Sequence, residues 1–364
     1  MARRLFVNLA LAAFAVTVTL AALEGVFRLF EPPPTFYTGR GLYQPDAELG
    51  HALRPGIRSA DVATSSAGFR DREYPLAKPP GTLRVLGVGD SFTFGSTYPR
   101  GIYLEVLETL LAESGPASPV EVLNAGVPGY STHQELGHLR KYGLRFAPDL
   151  VVLGLFPSGD VVENHSDEHL EVVDGELSSQ PVGRWRRRLL RSRLFRFLDQ
   201  RLRARADAGG GGALDESTWL RIEWDRLQVC RRQPPRHVRH GFEVTERLLQ
   251  ELAGELSGRG IDLVVLLIPD EYQVEPQVAQ RALAAHAGSL GDYDLELPQR
   301  RIGAFLRALG VAVVDPLPAL RARARREPVY WPRDTHWNEA GCDVAARALR
   351  EALLPRLRAR APRP

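Results

Sequence analysis

Residues Arg84–Gly95 read RVLGVGDSFTFG. The first half is a short run rich in valine and leucine, and the second is a polar turn punctuated by glycine. The stretch therefore describes a buried strand, Arg84 to Val88, that ends in a turn opening a helical region. Four comparable runs follow, at Val120–Leu123, Leu150–Leu155, Asp262–Ile268 and Val311–Asp315. Between them apolar residues recur with helical spacing at Tyr103–Ala112, Thr132–Tyr142, Glu243–Leu256 and Leu297–Leu309, and a last helix begins near Asn338 and runs to Leu354. Short apolar runs separated by helices predict an α/β fold, a mainly parallel five-stranded sheet with helices on both faces. Ligands of such sheets bind beyond the carboxyl ends of the strands, so the residues just after each strand are the candidates for chemistry.

After the first three strands stand the polar segments Gly89–Gly95, Asn124–Tyr130 (NAGVPGY) and Pro157–Asp160 (PSGD), and a fourth, Asp334–Asn338 (DTHWN), stands near the C-terminus. A serine hydroxyl needs a base to become a nucleophile, the base needs an orienting partner, and the developing oxyanion needs fixed donors. Ser91 fits the nucleophile, His336 the base and Asp334 the group that holds the imidazole. The backbone N–H groups of Ser91 and Gly129 are the candidate oxyanion donors. Asp90, Asp160 and Asn164 are candidate substrate contacts at the crevice rim, with loop capping as the competing reading. No cofactor or metal is expected. GVGDSF only grazes a dinucleotide fingerprint, with Phe92 where the third glycine belongs, and no histidine pair has metal-ligand spacing.

These segments, in this order, resemble the SGNH/GDSL hydrolase superfamily, in particular its membrane-anchored bacterial branch. The resemblance runs from about Ala67 to Leu354 and is interrupted by an insertion. It implies a flavodoxin-like three-layer α/β/α fold and ester hydrolysis or acyl transfer, often on O-acetylated carbohydrate or lipid. It places the nucleophile on Ser91, the oxyanion glycine on Gly129 and the catalytic histidine on His336. The family's aspartate usually stands three residues before that histidine, where this chain has Arg333, so the role passes to Asp334. Its third block carries an Asn whose amide donates to the oxyanion, and here Gly159 stands in that place. Loss of one such donor typically costs about 2.7–4 kcal/mol. Ser158, Asn164 or a water are the expected substitutes.

The chain before the first strand reads differently. Arg3 and Arg4 precede Leu5–Leu23, nineteen residues without a charge, ten of them Leu, Val or Phe. At 1.5 Å per residue that is about 28 Å, enough to cross a bilayer. Leu23-Glu24-Gly25 is no small-x-small cleavage site, so residues 1–30 read as an uncleaved transmembrane anchor rather than a signal peptide. The paired arginines keep the N-terminus cytoplasmic and put the remainder on the periplasmic or extracellular side of the inner membrane. Residues 31–80 read as an extended lead-in, with Ser65–Tyr74 packed on the domain edge, and 81–358 as the catalytic domain.

Composition narrows the classes further. With 44% hydrophobic and 25% charged residues, 33 Gly and 27 Pro, the chain is neither disordered, collagen-like nor a long coiled coil. Two cysteines exclude a disulfide scaffold and a four-thiolate zinc site. The net charge of +3 conceals Arg184–Arg205, ten arginines against the single acid Asp199, inside an insertion spanning about 165–239. A patch confined to one stretch argues against a nucleic-acid partner for the whole chain. With Leu190, Leu194, Leu198 and Leu202 recurring every fourth residue, the segment 184–205 suits either an anionic membrane surface or a solvated lid helix. The reading is thus a serine esterase of an acylated carbohydrate or lipid, with two alternatives: an O-acyltransferase of extracellular glycan, or a weakly catalytic binding or assembly subunit of the same fold.

Overall fold

A computed structural model describes residues 2–29, 41–59, 62–95, 102–115, 118–164, 170–173, 175–178, 185, 188–189, 192–198, 214–286 and 288–360. Five strands form the central sheet: β1 Leu83–Gly89, β2 Val120–Gly126, β3 Leu150–Leu155, β4 Asp262–Leu267 and β5 Ala312–Val314. All are parallel, in the order β2-β1-β3-β4-β5. That is a doubly wound, flavodoxin-like order, in which the crevice opens where the winding reverses, between β1 and β3.

The central strands are buried on both faces, and alternate residues enter different cores. Leu86, Val151, Leu153, Val265 and Leu267 face one layer of helices, α2 Thr132–Lys141, α3 Arg236–Gly258 and α4 Leu297–Ala308. Val85, Val152, Val264 and Leu266 face the other, α1 Tyr103–Glu113 and α5 Glu339–Arg360. The period of two in the strands meets the 3.6-residue stripes of the helices, giving three layers. Cys230 and Cys342 are free, buried thiols, one in each core.

The strand ends carry glycine for a steric reason. β1 continues through Gly89 and β2 through Gly126, and a Cβ at Gly126 would lie 2.3 Å from the backbone nitrogen of Phe94. A Cβ at Gly154, in β3, would lie 2.4 Å from Thr93 Oγ1. The short helix Ser91–Phe94 therefore sits directly on three strand ends, and only glycine lets it descend that far.

Two expectations are corrected. The lead-in is folded: Tyr43–Asp46 pairs antiparallel with Gly50–Leu53, and this hairpin buries Leu42, Leu49 and Leu53 against Phe94, Val127 and Tyr130. Nor does the insertion extend to 239. Helix Glu216–Leu227 and the start of α3 place Trp219, Leu227, Val229 and Val238 in the main core. Of the basic segment, 184–205, only residues 185, 188–189 and 192–198 are among those described, and Gly209–Gly212 lie outside them.

The N-terminal helix Ala2–Leu29 is long and apolar enough to cross a membrane, and its most apolar stretch is wholly unburied by the rest of the chain.

Candidate active site

The first turn after β1 is fixed by its own side chains. Asp90 caps the helix Ser91–Phe94, its carboxylate accepting from Phe92 N at 2.8 Å. This holds Ser91 at the helix start, over the carboxyl end of the sheet. Burial raises the Asp90 carboxyl to about 6, even though the Phe92 amide and the charges of His336 and Arg226 pull it down.

The segment before α5 brings up the base. Trp331 N donates to His336 O at 2.9 Å, and Tyr330 bridges Trp337, so the chain doubles back over 330–337. Within this turn Arg333 and Thr335 adopt positive φ, 54° and 72°. For a β-branched residue such as Thr335 the left-handed region is disfavoured, a strain that the buried surroundings must hold in place. The backbone reversal it produces compensates for the short Asp-x-His spacing. His336 Nδ1 lies 2.7 Å from Asp334 Oδ1 and 3.1 Å from Asp334 O, and His336 Nε2 lies 2.8 Å from Ser91 Oγ. With the proton on Nδ1, the imidazole donates to the carboxylate and accepts from the serine hydroxyl. The Phe92 ring, 4.9 Å from the imidazole and 5.2 Å from the Trp337 ring, supports its face.

Gly129, at φ 76°, follows β2 in a loop pinned from both sides. His51 Nε2 contacts Pro128 O at 2.9 Å, and Tyr130 Oη donates to His51 O at 2.6 Å. A Cβ on Gly129 would lie 2.4 Å from Leu170 Cδ1, so the insertion begins by covering this loop. The segment Ser65–Tyr74, expected merely to pack on the edge, braces both loops. Arg70 Nη1 donates to Phe94 O and Gly95 O at 3.1 and 2.9 Å, and Asp71 accepts from Asn124 N at 2.8 Å.

The third segment begins the helix Pro157–Glu163. Asp160, expected at the rim, is buried: one carboxylate oxygen accepts from Thr132 Oγ1 at 2.8 Å and the other from Phe156 N at 2.8 Å. It ties α2 to the end of β3, which is the capping reading. Asn164 donates to Thr245 Oγ1 at 2.9 Å and accepts from His133 N at 3.3 Å. Ser158 Oγ pairs with Tyr272 Oη at 2.7 Å. Both side chains expected to substitute for the missing oxyanion amide are thus committed to internal bonds. A side chain at Gly159 would meet Phe156, whose Cδ1 lies 2.9 Å from the Cβ position.

The structure adds a residue that sequence reading passed over. Arg226, on the helix Glu216–Leu227, lies over the Phe156 ring, 5.1 Å from its centroid. Burial works against its charge, but Asp270, Glu223 and Glu163 outweigh that and hold the guanidinium above its ordinary value. Around it, burial followed by the charge of Asp90 raises Glu163 to about 7, and burial followed by Asp270 raises Glu223 well above the usual range. A cation amid these carboxyls lowers the cost of burying them beneath the crevice. Its only sequence signal is its position seven residues after Trp219, on the same helix face.

Residues 216–363 match the family described as "SGNH hydrolase-like domain, acetyltransferase AlgX", a stretch that contains Asp334 and His336 but not Ser91. With the doubly wound sheet, this match over the C-terminal part of the chain makes the fold SGNH hydrolase-like, similar to the SGNH/GDSL hydrolases. Among solved structures it is similar to a lipase/acylhydrolase from Enterococcus faecalis, at 14% identity over 75% of this chain and 96% of that one, with a TM-score of 0.40. It is also similar to the acetyl xylan esterase AlAXEase, at 15% identity over 74% and 100% of the two chains and a TM-score of 0.42. A third is a GDSL-like lipase from Bacteroides thetaiotaomicron, at 13% identity over 74% and 87% and a TM-score of 0.36. No curated protein matches the chain.

Proposed function

We propose that this protein is a membrane-anchored serine esterase that forms an acyl-enzyme on Ser91 from an acylated carbohydrate or lipid. The observation that carries the reading is the relay Ser91 Oγ, His336, Asp334, with contacts of 2.8 and 2.7 Å. Ser91 Oγ attacks the ester carbonyl carbon while His336 Nε2 takes its proton, and Asp334 stabilises the resulting imidazolium. The oxyanion accepts hydrogen bonds donated by the backbone N–H groups of Ser91 and Gly129. Collapse breaks the bond to the alcohol, which leaves with the proton from His336. Water, deprotonated by His336, then attacks the acyl carbon and releases the acid and free Ser91.

The family match favours a second reading. Its description names an acetyltransferase, and a sugar hydroxyl in place of water would turn the same acyl-enzyme to O-acyl transfer on extracellular glycan. An acetylated donor supplied with and without a glycan acceptor separates them. Hydrolysis releases acetate at the same rate in both, whereas transfer yields acetylated acceptor and little acetate. Product in neither, or product that survives Ser91→Ala, rejects both and leaves a binding or assembly subunit.

The helix Ala2–Leu29 is read as an uncleaved anchor, with the crevice on the periplasmic or extracellular side. In support, Glu24 is bonded to Ser192, Arg193 and Leu194 of the basic segment, contacts that removal of a leader would forfeit.

A further inference from the structure

Glu24 is the first charged residue after the apolar span, so in an embedded anchor it stands at headgroup depth. Its carboxylate accepts from Ser192 Oγ at 2.8 Å and from Arg193 N and Leu194 N at 3.0 Å each. It thereby caps the helical turn 193–198, whose Arg196 N donates back to Ser192 O at 3.1 Å. One helical turn beyond Glu24, Phe27 packs on Phe197 with ring centroids 4.6 Å apart. The middle of the basic segment is therefore held against the anchor where the anchor leaves the bilayer.

Charge at this junction is predominantly positive. Arg28 bonds Glu24 at 3.0 Å, and the Arg193 guanidinium lies within electrostatic reach of Arg196, Arg28 and Glu24. Burial, then Arg196 and Arg28, hold Arg193 below its ordinary pKa, with Glu24 opposing. Trp185 and Leu189, four residues apart, are exposed at 69% and 39%. Cations beside an exposed tryptophan at the mouth of a membrane span are the chemistry of an interfacial contact.

We propose that Trp185, Leu189, Arg193 and Arg196 form a docking surface for anionic phospholipid headgroups, fixed at the depth of the bilayer surface by the bonds from Glu24. The inference rests on the anchor reading of Ala2–Leu29.

The test uses the full chain in vesicles, with Trp185→Cys carrying an environment-sensitive maleimide dye. Cys230 and Cys342 are buried, so position 185 is the reactive thiol. In vesicles of three parts phosphatidylcholine to one part phosphatidylglycerol, the emission is expected to shift to the blue and to be quenched by headgroup spin-labelled lipid. Arg193→Gln and Arg196→Gln are each expected to weaken docking roughly fivefold. A second pair, Phe27→Cys with Phe197→Cys, is expected to cross-link in the embedded protein. Equal, unquenched emission in anionic and in pure phosphatidylcholine vesicles overturns the proposal. So does a blue shift produced by inorganic phosphate alone in phosphatidylcholine vesicles, which assigns the cations to a free ion. Protein recovered without its first thirty residues in the soluble fraction overturns the anchor reading instead, so the two failures are distinguishable.

Discussion

At the level of single residues, the account depends on how Asp334 is presented to His336. The left-handed backbone at Thr335 folds the carboxylate back onto Nδ1 across a single intervening residue. Replacing Asp334 by Asn exchanges an acceptor for a group that favours the wrong imidazole tautomer. The expected outcome is a fall in kcat of about 10⁴-fold with little change in KM, read from ester turnover. A loss below tenfold would show that the backbone oxygen of Asp334, 3.1 Å from the same nitrogen, suffices to orient the ring. The sequence singled out Ser91, His336 and Asp334 because a polar, glycine-bearing turn follows an apolar run at Ser91 and a short DTHWN segment precedes the last helix; the structure brings the three within hydrogen-bond distance. Arg70, Asp71 and Arg226 were not legible there. Their roles arise only when the loops of Phe94, Asn124 and Phe156 come together, and nothing in their own neighbourhood announces it. Asp160 and Asn164 misled in the opposite sense, since a polar residue beyond a strand reads alike whether it faces substrate or caps a loop.

At the level of elements, the five strands stood out because burial on both faces removes almost every polar residue from their interiors. The hairpin Tyr43–Asp46 and Gly50–Leu53 did not. Its strands are four residues long, and Pro45 and His51 break the apolar pattern. The helix Glu216–Leu227 was hidden for a related reason: its inward stripe of Trp219, Glu223 and Leu227 is interrupted by a carboxylate. That same helix supplies Arg226 to the carboxyl of Glu163 and to the buried carboxyls of Glu223 and Asp270. Arg226→Met is expected to destabilise the fold by about 3–5 kcal/mol at pH 7.5, the usual cost of leaving buried charge without its partner. The loss shrinks at pH 5.5, where the carboxyls take up protons. Denaturant unfolding at the two values measures the difference, and an equal loss at both would assign Arg226 to packing alone.

For the whole molecule, the raised carboxyls make stability depend on pH in a definite direction. Burial lifts Asp71 to about 7 and Glu163 to about 7, and burial with the charge of Asp270 lifts Glu271 to about 8. In the unfolded chain all three release their protons near pH 4, so between about pH 4 and 8 the folded state binds more protons. Folding stability therefore falls as pH rises through 6 to 8. His138 opposes this at the acid end, because burial depresses it to about 4 and its contribution is lost below about pH 6.5. The melting temperature is expected to be higher at pH 6.5 than at pH 8, and Glu271→Gln to flatten that difference; a melting temperature that rises toward pH 8 contradicts the burial of these groups as ionisable acids. The central claim, however, concerns two segments 245 residues apart meeting at one hydroxyl. Its most direct measurement is covalent labelling of the full chain by a fluorophosphonate, followed by intact mass and peptide mapping. The account predicts a single adduct on Ser91, absent in Ser91→Ala and greatly slowed in His336→Ala. An unlabelled native protein, or an adduct that maps elsewhere, would contradict it.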